Sequence, residues 1–314
     1  MSLPPEVPRA TIRIVPQEEI TGGLKEPPVF RLPDTQCLFT DRAARFEALA
    51  AAGKGEPAFM RLMARLARAQ QVALQCHPEP TLPDSEHLER CRTHGLPPLG
   101  TDAPLEASWR NALHSITTSL RADVPAATQR VLAAIDNMDA ATLDAQASRL
   151  LSLDYPALDA ATVPFLGAAL QVHWVKRAAA LGESELRKLD VPHVCPVCGS
   201  PPVASVLRIG VPVPGTRYLH CVLCAADWHM GRGYCSQCEA YEKLAYFHID
   251  TESDAVRGEA CDECKGYIKS LNQEKDSQID PVADDLATLA LDILLDESGY
   301  QRASPNFFFV PGQG

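Results

Sequence analysis

From residue 40 to about residue 190 the apolar positions return every three or four residues, whereas beyond Asp190 they fall in short alternating runs. The first spacing belongs to helices that bury one face, the second to strands. TDRAARFEALAAAG (40–53) predicts a helix with Thr40 as N-cap and Gly53 at its end. Phe59, Leu62, Met63, Leu66 and Ala73 then form one stripe on a second helix. HPEPTLPDSEHLERCRTHGLPPLG (77–100) is rich in proline and predicts a loop. Helical spacing resumes in 104–122 (Trp109, Leu113, Ile116, Leu120), 125–138, 139–153 and 157–181 (Phe165, Ala169, Val172). Antiparallel packing of about six helices over residues 37–190 is the economical arrangement.

The flanks read differently. Residues 1–36 carry seven prolines and predict an extended arm, in which only TIRIV (11–15) alternates like a strand. VASVLRI (203–209) and KLAYFHI (243–249) predict strands. PVADDLATLALDILLD (281–296) predicts a final helix with proline at its first position, and the FFFV that follows adds apolar side chains to the core. The expected architecture is α+β: a helical domain at 37–190, two small modules at 191–232 and 233–270, and a helix and tail at 271–314.

Composition narrows the function. At 314 residues, 46% hydrophobic and 22% charged, the chain matches a soluble globular protein of two or more domains. No apolar run approaches the roughly 20 residues of a membrane span, and the N-terminus lacks the regions of a signal peptide, so a cytoplasmic protein without membrane insertion is expected. A net charge of −11 argues against nucleic acid as partner, because neutralising phosphates takes a surplus of Lys and Arg. No phosphate loop, GxSxG or HExxH occurs, and a non-enzyme is expected. Composition leaves the oligomeric state open.

The chemistry lies in the cysteines. Eight of eleven form four CxxC pairs: Cys195 with Cys198, Cys221 with Cys224, Cys235 with Cys238, and Cys261 with Cys264. The gaps between pairs are 22, 10 and 22 residues, so the second two pairs repeat the first two at a period of 40. Each copy reads as knuckle, strand, turn, strand, knuckle, a hairpin that brings four thiolates around one ion. This is the layout of a zinc ribbon or rubredoxin-like site. Backbone N–H groups inside each CxxC turn can donate to sulfur, and Gly199 suits the backbone after the first knuckle. A module of about 30 residues buries too little to fold alone, and metal supplies roughly 10 kcal/mol or more. A thioredoxin-like redox pair would need a βαβ setting that is lacking. Zinc and iron both accept four thiolates, and an iron–sulfur cluster ranks third because its ligands usually come from a compact run.

The remaining candidates are weaker. Cys37, Cys76 and Cys91 read as buried structural thiols, and Cys76, His87, Cys91 and His94 fit no familiar metal spacing. His173 reads as a packed or surface residue, and His193, His220 and His229 as exposed neighbours of the knuckles. Residues 195–224 hold Arg208 and Arg217 with no acid, while 235–264 hold eight acids against Lys243 and Arg257. That acidic face would repel nucleic acid and leaves protein docking.

Together CPVCGSPPVAS, RYLHCVLCAADWH, YCSQCEAYEKLAY and EACDECKGYIKS, behind a helical half, resemble the FdhE family of formate dehydrogenase accessory proteins. The resemblance implies a bacterial cytoplasmic maturation factor for respiratory formate dehydrogenase that is not itself the enzyme. It implies rubredoxin-like sites on the eight cysteines, with iron preferred over zinc, and the molybdenum-containing catalytic subunit as partner. In AADWHMGRGYCSQC the aromatic and Arg composition of Trp228, His229, Arg232 and Tyr234 suggests a partner surface.

Overall fold

The computed structural model describes residues 26–303 and 306–309, so the TIRIV expectation lies outside the described residues. Seven α-helices occupy 38–181: α1 (Leu38–Ala51), α2 (Pro57–Cys76), α3 (Ser85–His94), α4 (Ser108–Leu120), α5 (Ala126–Asp136), α6 (Ala140–Leu151) and α7 (Val163–Leu181). Helix α3 corrects the loop expected at 77–100. Its signals were present, Asp84 accepting from His87 N–H at 2.8 Å and Gly95 closing the helix at φ 61°. Only Cys91 is buried along it, so no apolar stripe announced it.

Helix α7 is central. Fourteen of its 19 residues are buried, as for a helix surrounded by protein on every side. Among them His173 is 1% exposed, its Nδ1 lying 3.3 Å from Ser108 Oγ and its ring beside His77 and Trp174. Burial, then the charges of Arg177 and His77, push its pKa down to about 3 from 6.5. The unfolded chain therefore takes up a proton before the folded one does. Stability is complete above about pH 6.5 and declines as pH falls toward 3, by up to about 1.4 kcal/mol per unit from this residue. Urea titrations at pH 7 and pH 5 should show the loss, and His173→Gln should shrink it.

The strands form one sheet, not two separate hairpins. β1 (Phe30–Arg31), β2 (Pro202–Arg208), β3 (Thr216–Cys221), β4 (Asp227–His229), β5 (Leu244–Phe247), β6 (Val256–Cys261), β7 (Gly266–Asn272) and β8 (Gln301–Arg302) lie in the order β1-β4-β3-β2-β7-β6-β5, with β8 also on β7. Each repeat contributes three strands: β2, β3 and β4, then β5, β6 and β7. All pairs within a repeat are antiparallel. The repeats join where β2 runs parallel to β7, Ala204 opposite Lys269 through Leu207 opposite Asn272.

The helix expected at 281–296 is broken into α8 (Ala283–Ala287) and α9 (Leu289–Glu297). At the break Thr288 Oγ1 donates to Asp284 O at 2.8 Å, and Lys269 Nζ donates to Asp285 O at 2.7 Å and Thr288 O at 3.1 Å. These donors take carbonyls that a continuous helix would have used. Helix α8 and the turn that leads into it are tied to α1, Arg45 pairing with Asp284 at 2.5 Å and Arg42 with Asp280 at 3.2 Å. The tail then reaches the bundle, as expected of FFFV: Phe307 and Phe308 are buried and Phe309 is exposed. Phe307 sits on Gly167, where a Cβ would lie 2.9 Å from its own, so only glycine fits there.

Candidate metal centres

The chain folds each CxxC into a tight turn after which one residue adopts a left-handed backbone. That residue is Gly199 (φ 79°), Ala225 (56°), Glu239 (59°) and Lys265 (57°). The turn is closed by backbone bonds such as Gly199 N–H to Cys195 O at 2.8 Å and Lys265 N–H to Cys261 O at 2.9 Å. Within it N–H groups point at sulfur: Val197 to Cys195 at 3.4 Å, Leu223 to Cys221 at 3.4 Å, and Gln237 to Cys235 at 3.3 Å. Glycine is the ordinary occupant of such a backbone, and three of the four positions hold it with a side chain.

The hairpins bring the knuckles together as two sets, Cys195, Cys198, Cys221, Cys224 and Cys235, Cys238, Cys261, Cys264, in each of which the sulfurs lie within 4.8 Å of one another. In the first set Cys195 and Cys224 sulfurs are 3.5 Å apart, and Cys198 and Cys221 sulfurs 3.4 Å. In the second set, Cys235 with Cys264 and Cys238 with Cys261 both measure 3.7 Å. Disulfide sulfurs would be about 2.05 Å apart. Four thiolates at about 2.3 Å from one tetrahedral ion would be about 3.8 Å apart, so the donor set and spacing fit zinc or iron.

Electrostatics point the same way. Burial pushes the Cys195 and Cys224 thiols well above their ordinary range and Cys235 up to about 12. For Cys198 burial opposes ionisation, yet hydrogen bonds from the three other thiols hold it low. A buried set can thus carry little negative charge by itself, and a divalent cation is what lets all four sulfurs ionise together.

The two sets differ in cover. In the first every cysteine is 0–1% exposed. It is roofed by the helical half: Gln171 Nε2 donates to Val222 O at 2.7 Å, Leu99 N–H to Val197 O at 2.9 Å, and Pro97 packs on Gly199. In the second, Cys238 and Cys264 are exposed.

Several neighbours depart from expectation. Trp228 is 5% exposed and its indole donates to Pro192 O at 2.9 Å, because β1 covers β4, so it offers no open surface. His229 is half-buried against Tyr218, while Arg232 and Tyr234 are exposed, the Tyr234 ring lying 4.9 Å from that of Tyr241 at a tilt of 42°. His220 is not exposed: it is 3% accessible, with Nδ1 2.7 Å from Asp227 Oδ1, and Asp227 also binds Arg208 at 2.9 Å. Cys76 is exposed, Cys37 half-buried and Cys91 buried. The charge asymmetry between repeats is partly internal. Arg217 pairs with Glu259 across the two repeats, both side chains at most 2% exposed. Sequence spacing gave no sign of that pair.

Models of the FdhE N-terminal, central and C-terminal domains match residues 27–190, 194–232 and 234–309. An FdhE homolog of Edwardsiella ictaluri is 41% identical over 312 residues, spanning 96% of this chain and 100% of that protein. Protein FdhE of Escherichia coli K12 is 37% identical over 317 residues, spanning 97% and 99%. The crystal structure of the FdhE protein from Pseudomonas aeruginosa superposes with a TM-score of 0.82 at 38% identity, covering 91% of this chain and 100% of that one. With the three domain models matched in order over residues 27–309, relatives at 37–41% identity over nearly the full length and a shared overall fold, this chain belongs to the FdhE family.

Proposed function

We propose that the chain is a cytoplasmic, non-catalytic accessory protein for the maturation of respiratory formate dehydrogenase, and that it binds the catalytic subunit. In this reading 37–190 is the helical unit, and 191–232 and 233–270 each carry one ion on four cysteines, iron in preference to zinc. The observation that carries it is the pair of tetrathiolate cages, joined to membership of the FdhE family. Four sulfurs saturate a tetrahedral ion and leave no position for a substrate, which suits a structural or recognition role. When bound, the ion supplies the cross-link that these small modules lack. The cysteines orient it, the knuckle N–H groups offset its thiolate charge, and Arg232 and Tyr234 remain as exposed candidates for client contact. No described helix is long and apolar enough to cross a membrane.

Cells lacking the chain should lose formate dehydrogenase activity, and tagged chain should capture the catalytic subunit. Normal activity in such cells would refute the proposal. Elemental analysis of native protein purified without air reads the metal, with about two ions per chain expected. Exposure of Cys238 and Cys264 favours electron transfer at the second cage as the alternative, and reversible bleaching of visible absorbance by reductant would support it.

A further inference from the structure

Among the described residues the most exposed large apolar side chain is Ile293, at 60%, and Leu294 beside it is 47% exposed. Both lie on α9, whose other face buries Leu291 and Leu295 against β6 and β7. Ala290, Ile293 and Leu294 have the spacing of one stripe on a helix, and all three are turned to solvent. A helix that is apolar on two faces ordinarily has protein against both. The stripe adjoins a groove of about 390 Å³ lined by Ala48, Leu49 and Ala52 of α1 and by Ala287, Ala290 and Leu291 of α8 and α9. Ala290 is common to groove and stripe, so the two form one continuous apolar surface. Contiguous exposed apolar surface marks contact with another molecule, whereas apolar residues scattered singly do not. With alanine at four of the six positions, a helix laid in the groove can approach to about 8 Å between axes, the near end of the usual range.

The charges around this surface leave one sign to spare. Arg45 is spent on Asp276 at 2.6 Å and Asp284 at 2.5 Å, and Lys54 on Glu252. Asp296 and Glu297 are exposed in the last turn of α9 and form no ion pair among the described residues. That turn holds no basic residue, although the carbonyl end of a helix favours cations and disfavours acids. A second copy of the chain would bring the same unpaired acids and a net charge of −11 to the contact, which repulsion opposes. A small apolar molecule would fill the groove and leave Ile293 bare.

We infer that α9 and the groove beside it receive an amphipathic helix of another protein, its apolar residues at three- and four-residue spacing laid between α1 and α9 and its Lys or Arg residues set against Asp296 and Glu297. On binding, Ile293 and Leu294 pass from water into a protein contact, and the two acids gain the counter-ions that the last turn lacks. The surface includes neither cage and neither Arg232 nor Tyr234, so it stands or falls apart from the formate dehydrogenase reading.

Random peptides of about 16 residues, roughly 24 Å of helix, displayed on phage and panned against metal-loaded full-length protein, test this. Peptides also held by the Ile293→Ser, Leu294→Ser double variant are subtracted. Both positions are exposed, so the fold is retained, with far-UV circular dichroism as the check. Enrichment of peptides that combine Lys or Arg with apolar residues at helical spacing supports the inference. A peptide so selected should bind the double variant about tenfold or more weakly, because two apolar contacts are lost. Asp296→Asn combined with Glu297→Gln should weaken it about threefold and flatten its dependence on salt. Enrichment of acidic or uncharged peptides, no enrichment over the double variant, or self-association of the parent that the double variant abolishes would overturn it.

Discussion

Cys198→Ser is expected to unfold the sheet and leave the helical half associated with a molten remainder. The residue is 0% exposed, and its cage is enclosed by Val197, Val222, Leu223 and the roof from α7. Structural tetrathiolate sites contribute roughly 10 kcal/mol or more to folding, close to the whole stability of an ordinary domain. A hydroxyl in place of one thiolate weakens the ion and leaves a polar group where the interior is dry. Loss of the β signal in far-UV circular dichroism, together with loss of one bound ion, is the expected reading. Cys264→Ser should be milder, because Cys264 is exposed and water can take the vacated ligand position. For the same reason a chelator should strip the second cage first. Two kinetic phases, the fast one unchanged in far-UV signal, are expected with a chromogenic zinc chelator on zinc-loaded protein; simultaneous release of both ions would contradict the asymmetry.

Lys269→Ala is expected to cost about 3–5 kcal/mol, as for a buried ion pair that loses one partner. The Lys269 side chain is 0% exposed and lies 3.2 Å from Asp285 and 2.6 Å from Asp292, besides donating to two carbonyls at the break between α8 and α9. Arg302 stays bound to both aspartates at 2.7 and 3.1 Å, so the carboxylates keep one counter-ion and the loss stops short of unfolding the whole chain. The measurement is the urea midpoint at pH 7. A shift below about 1 kcal/mol would mean that Arg302 alone neutralises the site.

The helical half was legible because helices with one buried face print their period on the chain, and Phe59, Leu62, Met63 and Leu66 do so plainly. The cages were legible because ligand spacing is covalent information: a period of 40 residues between cysteines survives any arrangement of what lies between. Three features were not legible. Helix α3 is stabilised by its caps at Asp84 and Gly95 and buries almost nothing. The break at Thr288 depends on Lys269, which arrives from another strand. The joining of β2 to β7 leaves no trace either, since alternation says which side chains share a face and nothing of which strand lies alongside. Trp228 was misplaced for that reason, since β1 covers it from a segment distant in sequence, whereas His220 is buried against Asp227 on the adjacent strand of its own repeat, a pairing that spacing alone did not announce.

The parallel seam between β2 and β7 makes the duplicated halves interdependent, unlike beads on a string. Arg217 leaves the first half to find its counter-ion, Glu259, in the second, at a depth where neither charge meets solvent. Cutting the chain between residues 232 and 233 would hand each fragment an orphaned ion and a raw strand edge, so neither copy should survive expression by itself, whatever metal is offered. The repeat written in the cysteine spacing thus marks the ligands, whereas the folded unit is the one sheet that spans both copies.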